Sequence, residues 1–249
     1  MRTTLLAIYI PLICFGQPGT TYLARLAYPH ELRPYVDGLG PRAKTPGKER
    51  RTVTGTVSDP SGSSIPVAIT HQLPNSVRIE IGGGRGVTIG FDGSGTVSSR
   101  TVANDWEDDL TESLTVHTPE GLLDEVRRGA GVRLLGQGFR TVLPGGAPDP
   151  TARLVDVVEV RLPVRSRSDK RQLMKRYYFD SETAKLTKVN YKTPAGLFVE
   201  TRISDWRVVN GENVPGRVER FEAGRRVFTF SLSNSVFEAF RVDDAFRRP

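Results

Sequence analysis

One cysteine, Cys14, is all the sulfhydryl chemistry the chain has, so no intrachain disulfide can form. The three histidines, His30, His71 and His117, stand too far apart to match a metal-ligand or protease spacing. The sequence contains no Gly-x-Ser-x-Gly elbow. Gly82 to Gly86 is followed by a strand pattern where a phosphate loop would open a helix, and Asp92-Gly93-Ser94-Gly95 lacks the downstream glutamate of a calcium loop. Glu107, Asp108 and Asp109, or Glu120, Asp124 and Glu125, are carboxylates near one another, but adjacency does not make a glycosidase pair. No apolar run reaches the ~18 residues that cross a bilayer. These absences point away from an enzyme, and from any metal or cofactor.

What remains is a globular composition rich in turns: 249 residues, 37% apolar, with 25 Gly and 17 Pro and no collagen period. A chain of this length buries enough surface to fold without metals or disulfides. Lys and Arg total 35 against 28 Asp and Glu. The basic clusters at Lys48 to Arg51, Arg127-Arg128, Arg165 to Arg176, Arg225-Arg226 and Arg247-Arg248 form no single stripe along the sequence. A nucleic-acid partner is therefore not expected, whereas peripheral contact with an anionic membrane surface is compatible with the charge.

Met1-Arg2, then Thr3 to Ile13, then Cys14, Phe15 and Gly16 give one positive charge, a short apolar stretch and small residues, the pattern of a secretory signal peptide. Residues 1–16 are read as that peptide and the mature chain starts near Gln17, in a periplasmic or secreted location. Pro11 argues against a buried first helix, and Ile13 before Cys14 departs from a lipobox.

Residues 21–36 carry apolar spacings that predict a short, Pro-interrupted helix. From Thr52 the period changes to two. Val77, Ile79 and Ile81 alternate with Arg78 and Glu80, and Val87, Ile89 and Phe91 repeat the pattern after the Gly82 to Gly86 hairpin. Trp106, Leu110 and Leu114 then fall at helical spacing. Thr118 is an N-cap, Pro119 a first helical residue and Gly129 a C-terminal stop, which predicts a helix whose apolar face is Leu122, Leu123 and Val126. From Arg153 the strands return, with Leu154, Val158, Val160, Leu162 and Val164 alternating with Arg153, Glu159 and Arg161, and further strands follow at Leu173 to Phe179, Lys185 to Tyr191, Leu197 to Val209, Val214 to Phe221 and Val227 to Val236, with Asn210-Gly211 and Ala223-Gly224 as turns. The fold class is α+β, mainly antiparallel β: a single curved sheet, an incomplete β-barrel, with a few short helices as a lid on its concave face. Residues 17–249 are read as one domain.

Taken in order, several segments resemble the periplasmic lipoprotein carriers and the outer-membrane lipoprotein-sorting-protein-like family, in an exported bacterial branch. They are Leu73 to Arg78, Phe91-Asp92-Gly93, Thr118 to Leu123, Tyr178-Phe179-Asp180, Asp205 to Gly211, Val214-Pro215 and the closing Asp243, Asp244 and Phe246. The resemblance implies a half-barrel with an apolar cavity that shelters acyl chains. Where the carriers place an arginine before the Pro-Asn step this chain has Leu73, which puts lipoprotein hand-over by their mechanism in doubt. The expected lining is Val77, Ile79, Ile89, Phe91, Phe198, Phe228 and Phe230 on the sheet, with Leu122 and Val126 from the lid. The expected function is non-enzymatic binding of a lipid or lipoprotein acyl chain, or another apolar ligand, in the cell envelope by a monomer. The second reading is an envelope sensor or scaffold whose sheet binds a protein partner.

Overall fold

The computed structural model describes residues 30–37, 49–72, 76–82, 85–91, 96–99, 109–110, 112–127, 129–140, 153–162 and 173–239. Five strands come first: β1 (Glu49–Ser58), β2 (Ser64–Gln72), β3 (Ser76–Ile81), β4 (Arg85–Phe91) and β5 (Thr96–Ser99). After the lid segment come β6 (Gly131–Phe139), β7 (Val155–Arg161), β8 (Met174–Asp180), β9 (Leu186–Lys192) and β10 (Phe198–Ser204). The last are β11 (Arg207–Val209), β12 (Glu212–Val214), β13 (Arg217–Glu222) and β14 (Arg225–Ala239).

Twelve of these form one antiparallel sheet in the order β5-β4-β3-β2-β1-β14-β13-β10-β9-β8-β7-β6, and β11 and β12 form a separate ribbon. The 15-residue β14 joins the two halves, pairing with β1 along one side and β13 along the other. The curved sheet stays open, as an incomplete barrel with short helices as its lid. Hairpin chemistry agrees with the turns read from sequence. Asn210 and Gly211, and likewise Ala223 and Gly224, both have positive φ, the backbone that a two-residue hairpin of matching twist needs.

Two expectations are corrected. The strand expected from Leu197 to Val209 breaks after Ser204, where Asp205 takes a φ of 55° and the chain leaves the main sheet to form the β11–β12 ribbon. For the same reason β13 starts at Arg217, not at Val214. Strand β6 was not foreseen, because Gly131, Gly136 and Gly138 blur its alternation and two register shifts interrupt its pairing with β7.

The lid consists of α1 (Arg33–Asp37), entered through a 3-10 turn at His30–Leu32, a π-helical turn at Glu112–Val116, and α2 (Pro119–Arg127). Helix α2 forms where its signals lie: the Thr118 hydroxyl accepts from Gly121 N at 3.1 Å, and Gly129 ends the helix with a φ of 92°. Two apolar clusters sit between lid and sheet. In one, Leu32, Tyr35, Val36, Leu122 and Leu123 pack on Val158, Val160, Phe179, Val189 and Ile203. In the other, Leu110 and Leu114 pack on β1–β3 and β12–β14. The predicted apolar face of α2 is therefore buried, Leu122 and Leu123 fully and Val126 in part.

Candidate functional site

Pairing carries side chains in rows across the lid face of the sheet. One row runs Val160, Lys175, Tyr191, Val199, Glu222, and the next runs Val158, Tyr177, Val189, Thr201, Arg220, Phe228. Strand alternation calls for apolar groups at all these positions. Instead Lys175, Tyr177, Tyr191, Thr201 and Arg220 put polar heads in the middle of the sheet, all buried. They form a seam between the two apolar clusters.

The lid answers them group for group. The Arg220 guanidinium donates to Asp109 Oδ1 at 2.8 Å, to Glu112 Oε2 at 2.9 Å and to Ser113 Oγ at 3.3 Å, and to Glu222 on its own strand at 2.9 Å. Lys175 Nζ donates to Glu125 Oε1 at 3.3 Å and lies 3.6 Å from Glu112 Oε1. Tyr177 donates to the other Glu125 oxygen at 2.9 Å, and Tyr191 donates to Glu112. His117, wholly buried, shares a 2.9 Å hydrogen bond through Nδ1 with the Thr201 hydroxyl. Its Nε2 faces Glu112 Oε1 at 3.4 Å without hydrogen-bond geometry. The π-helical turn sets this up: His117 N reaches back to Glu112 O, so Glu112, Ser113 and His117 all meet the sheet.

Electrostatics follow from the packing. Burial pushes the His117 imidazole down to about 4, Lys175 adds to the push and Glu112 opposes it, so the ring is neutral at physiological pH. Burial works against ionisation of Glu112, but His117, which is already protonated at any pH low enough for Glu112 to titrate, together with Lys175 and Tyr191, more than offsets it and holds that carboxyl well below the usual range. Burial raises the Asp109 carboxyl, and Arg220 opposes this without cancelling it. The cations lie deepest: the side chains of Arg220 and Lys175 are 3% exposed, while those of Asp109 and Glu112 reach 29% and 26%. Among the described residues, no group of three or more His, Cys, Asp or Glu is arranged to hold a metal ion.

Of the nine residues expected to line one cavity, Ile79, Phe228 and Phe230 are buried together beneath Leu110 and Leu114. Leu122 and Val126 belong to the other cluster, beyond the seam. Phe198 begins β10 on the outer face and is 40% exposed. Val77 and Ile89 are paired across β3 and β4 and Phe91 ends β4, but their side chains lie outside the described residues. The Asp92 to Gly95 turn lies outside them too. Sequence reasoning missed the seam. The available signal was a polar residue at an inward position, as at Lys175 and Arg220, facing an acidic lid segment.

No family model matches the sequence, and no curated protein does. Among solved structures, the chain is similar to a DUF1329 family protein from Desulfovibrio piger at 11% identity, covering 86% of this chain and 95% of that one with a TM-score of 0.53. That is a likeness of fold. It is also similar to a LolA superfamily protein from Nitrosomonas europaea, at 13% identity over 86% and 94% of the two chains with a TM-score of 0.49. A Vibrio parahaemolyticus domain named for outer membrane lipoprotein sorting is 10% identical over 91% and 95%, with a TM-score of 0.47.

Proposed function

We propose that this protein is an exported, non-enzymatic carrier of an acyl chain or similar apolar ligand, taken up between the lid and the sheet. Residues 1–16 serve as the signal peptide, and the domain beginning near Gln17 acts in the periplasm or outside the cell. The observation that carries this reading is the ionic seam. A permanent core gains little from buried ion pairs, since well-packed apolar residues of similar volume hold it as well or better. A lid that must lift is different. Water re-solvates the seam's charges when it opens, and a ligand's methylenes replace the lid's apolar contacts on the clusters beside it. The seam then acts as a latch that returns the lid to one register. The motif-level resemblance to lipoprotein carriers supports the same reading.

The test is binding of a fluorescent fatty acid at micromolar concentration. Each buried methylene contributes about 0.8 kcal/mol, so a chain of a dozen offsets the cost of association. Ile79→Trp, which fills the bed beneath Leu110 and Leu114, is expected to reduce uptake with the fold retained. A permanently filled core gives the opposite pair of results: no uptake by the wild type, and a variant destabilised by roughly 1–3 kcal/mol through overpacking.

A further inference from the structure

Folding gathers cations that are dispersed in the sequence. On the outer face of β7–β10, β13 and β14 three glutamates are each shared by two cations. Glu159 lies between Arg161 at 3.0 Å and Arg176 at 3.8 Å. Glu200 lies between Arg202 at 2.7 Å and Lys188 at 3.8 Å, and Glu219 between Arg217 at 2.8 Å and Arg226 at 4.0 Å. The six cations outnumber the three carboxylates two to one. The five arginines expose between 41% and 56% of their side chains. Lys188 and Arg202 stand directly opposite each other across β9 and β10, a like-charge pairing that works against the sheet. Among the described residues, the outer face of the other half shows no such excess. There Arg50 pairs with Glu238 and Arg78 with Glu80, among Thr52, Thr54, Thr56, Ala68 and Thr70. At one rim of the cationic face the apolar side chains of Met174 and Phe198 are 48% and 40% exposed.

We propose that this outer face docks on an anionic phospholipid bilayer. The excess charge is a diffuse field, since every guanidinium named is tied sideways to a glutamate. That suits the smeared negative potential of a headgroup surface, where each nearby Lys or Arg adds attraction, better than the discrete phosphates that nucleic-acid readers grip with free forks. Met174 and Phe198 at the rim are placed to enter the headgroup layer. Docking by this face leaves the lid on the opposite face of the sheet free to move. The inference stands apart from acyl binding, because it uses no residue of the seam or of the two clusters.

The experiment is co-sedimentation of the full chain with vesicles of phosphatidylcholine alone or mixed with phosphatidylglycerol, at low and high salt. Attachment to pure phosphatidylcholine measures apolar sticking, including that of the N-terminal apolar stretch, and is subtracted. The expected result is binding to the anionic vesicles that high salt abolishes. Arg176→Gln/Arg202→Gln/Arg226→Gln is expected to weaken it about tenfold or more, and Arg33→Gln/Arg50→Gln/Arg78→Gln, with the same loss of charge off the face, much less. Glu200→Gln/Glu219→Gln is expected to tighten it, a gain that misfolding cannot produce. The proposal is overturned if the two arginine triples lose binding equally, if the glutamine double variant binds no better than wild type, or if duplex DNA is bound more tightly than the vesicles.

Discussion

His117 shows what a buried polar seam does to stability. Its imidazole is neutral in the fold, with its pKa down at about 4, whereas a solvated histidine titrates near 6.5. The unfolded chain therefore binds the proton first. This contribution is complete above about pH 6.5 and is lost as pH falls from there toward 4, an effect on the order of 3 kcal/mol if His117 acted alone. Glu112, held ionised, loses its own contribution lower still, below its unfolded value, while Asp109, with a raised pKa, works the opposite way. His117→Gln keeps a partner for Thr201 and removes the titration. Unfolding midpoints in urea across pH 4 to 7 are expected to fall steeply toward acid for the wild type and distinctly less for the variant. Parallel curves would show that His117 is not the buried neutral group described. None of this was legible from the sequence, where His117 is a lone histidine before a helix cap. The groups that give it meaning, Thr201 and Lys175, lie 84 and 58 positions away and arrive through strand pairing.

Helix α2 lies at the opposite extreme of legibility. Thr118, Pro119 and Gly129 punctuate it with local chemistry, and its apolar face follows from helical spacing alone. Leu123, buried in the cluster under the lid, provides the check. Leu123→Asp puts an unpaired charge into the apolar cluster that also holds Val158, Val189 and Ile203, and is expected to cost several kcal/mol, on the order of 3 to 5, in denaturant unfolding. An unchanged midpoint would mean the face of α2 is misassigned. The neighbouring lid turn was less readable. Leu110 and Leu114 have α-helical spacing, but the chain between Glu112 and Val116 widens to a π turn whose closing bond joins residues five apart. Spacing rules anticipate buried leucines there, and both are buried. They do not anticipate that the same turn aims Glu112 and Ser113 at Arg220. Strand β6 was hidden for a different reason, since glycines at three of its nine positions remove the side chains that would reveal a period of two.

At the scale of the whole molecule, alternation and turn residues disclosed an antiparallel, open, lidded sheet. Its strand order was not disclosed, because the meeting of β14 with β1 joins residues up to 190 positions apart. The two apolar clusters likewise looked like one cavity in the sequence, for an inward arginine on β13 is indistinguishable from an outward one until registers are known. In the carrier proposed above, the lid lifts at the seam to admit an apolar ligand. Ser113 and Thr201 face each other there with their hydroxyl oxygens 3.4 Å apart, one on the lid and one on β10. Replacing both with cysteine, in a Cys14→Ser background so that no other thiol remains, makes a reversible clasp across the seam. Fluorescent fatty acid uptake by the oxidised and reduced forms of this one variant is the measurement. The oxidised form is expected to take up none, and reduction to restore uptake. Equal uptake with the clasp closed and open would contradict the proposal.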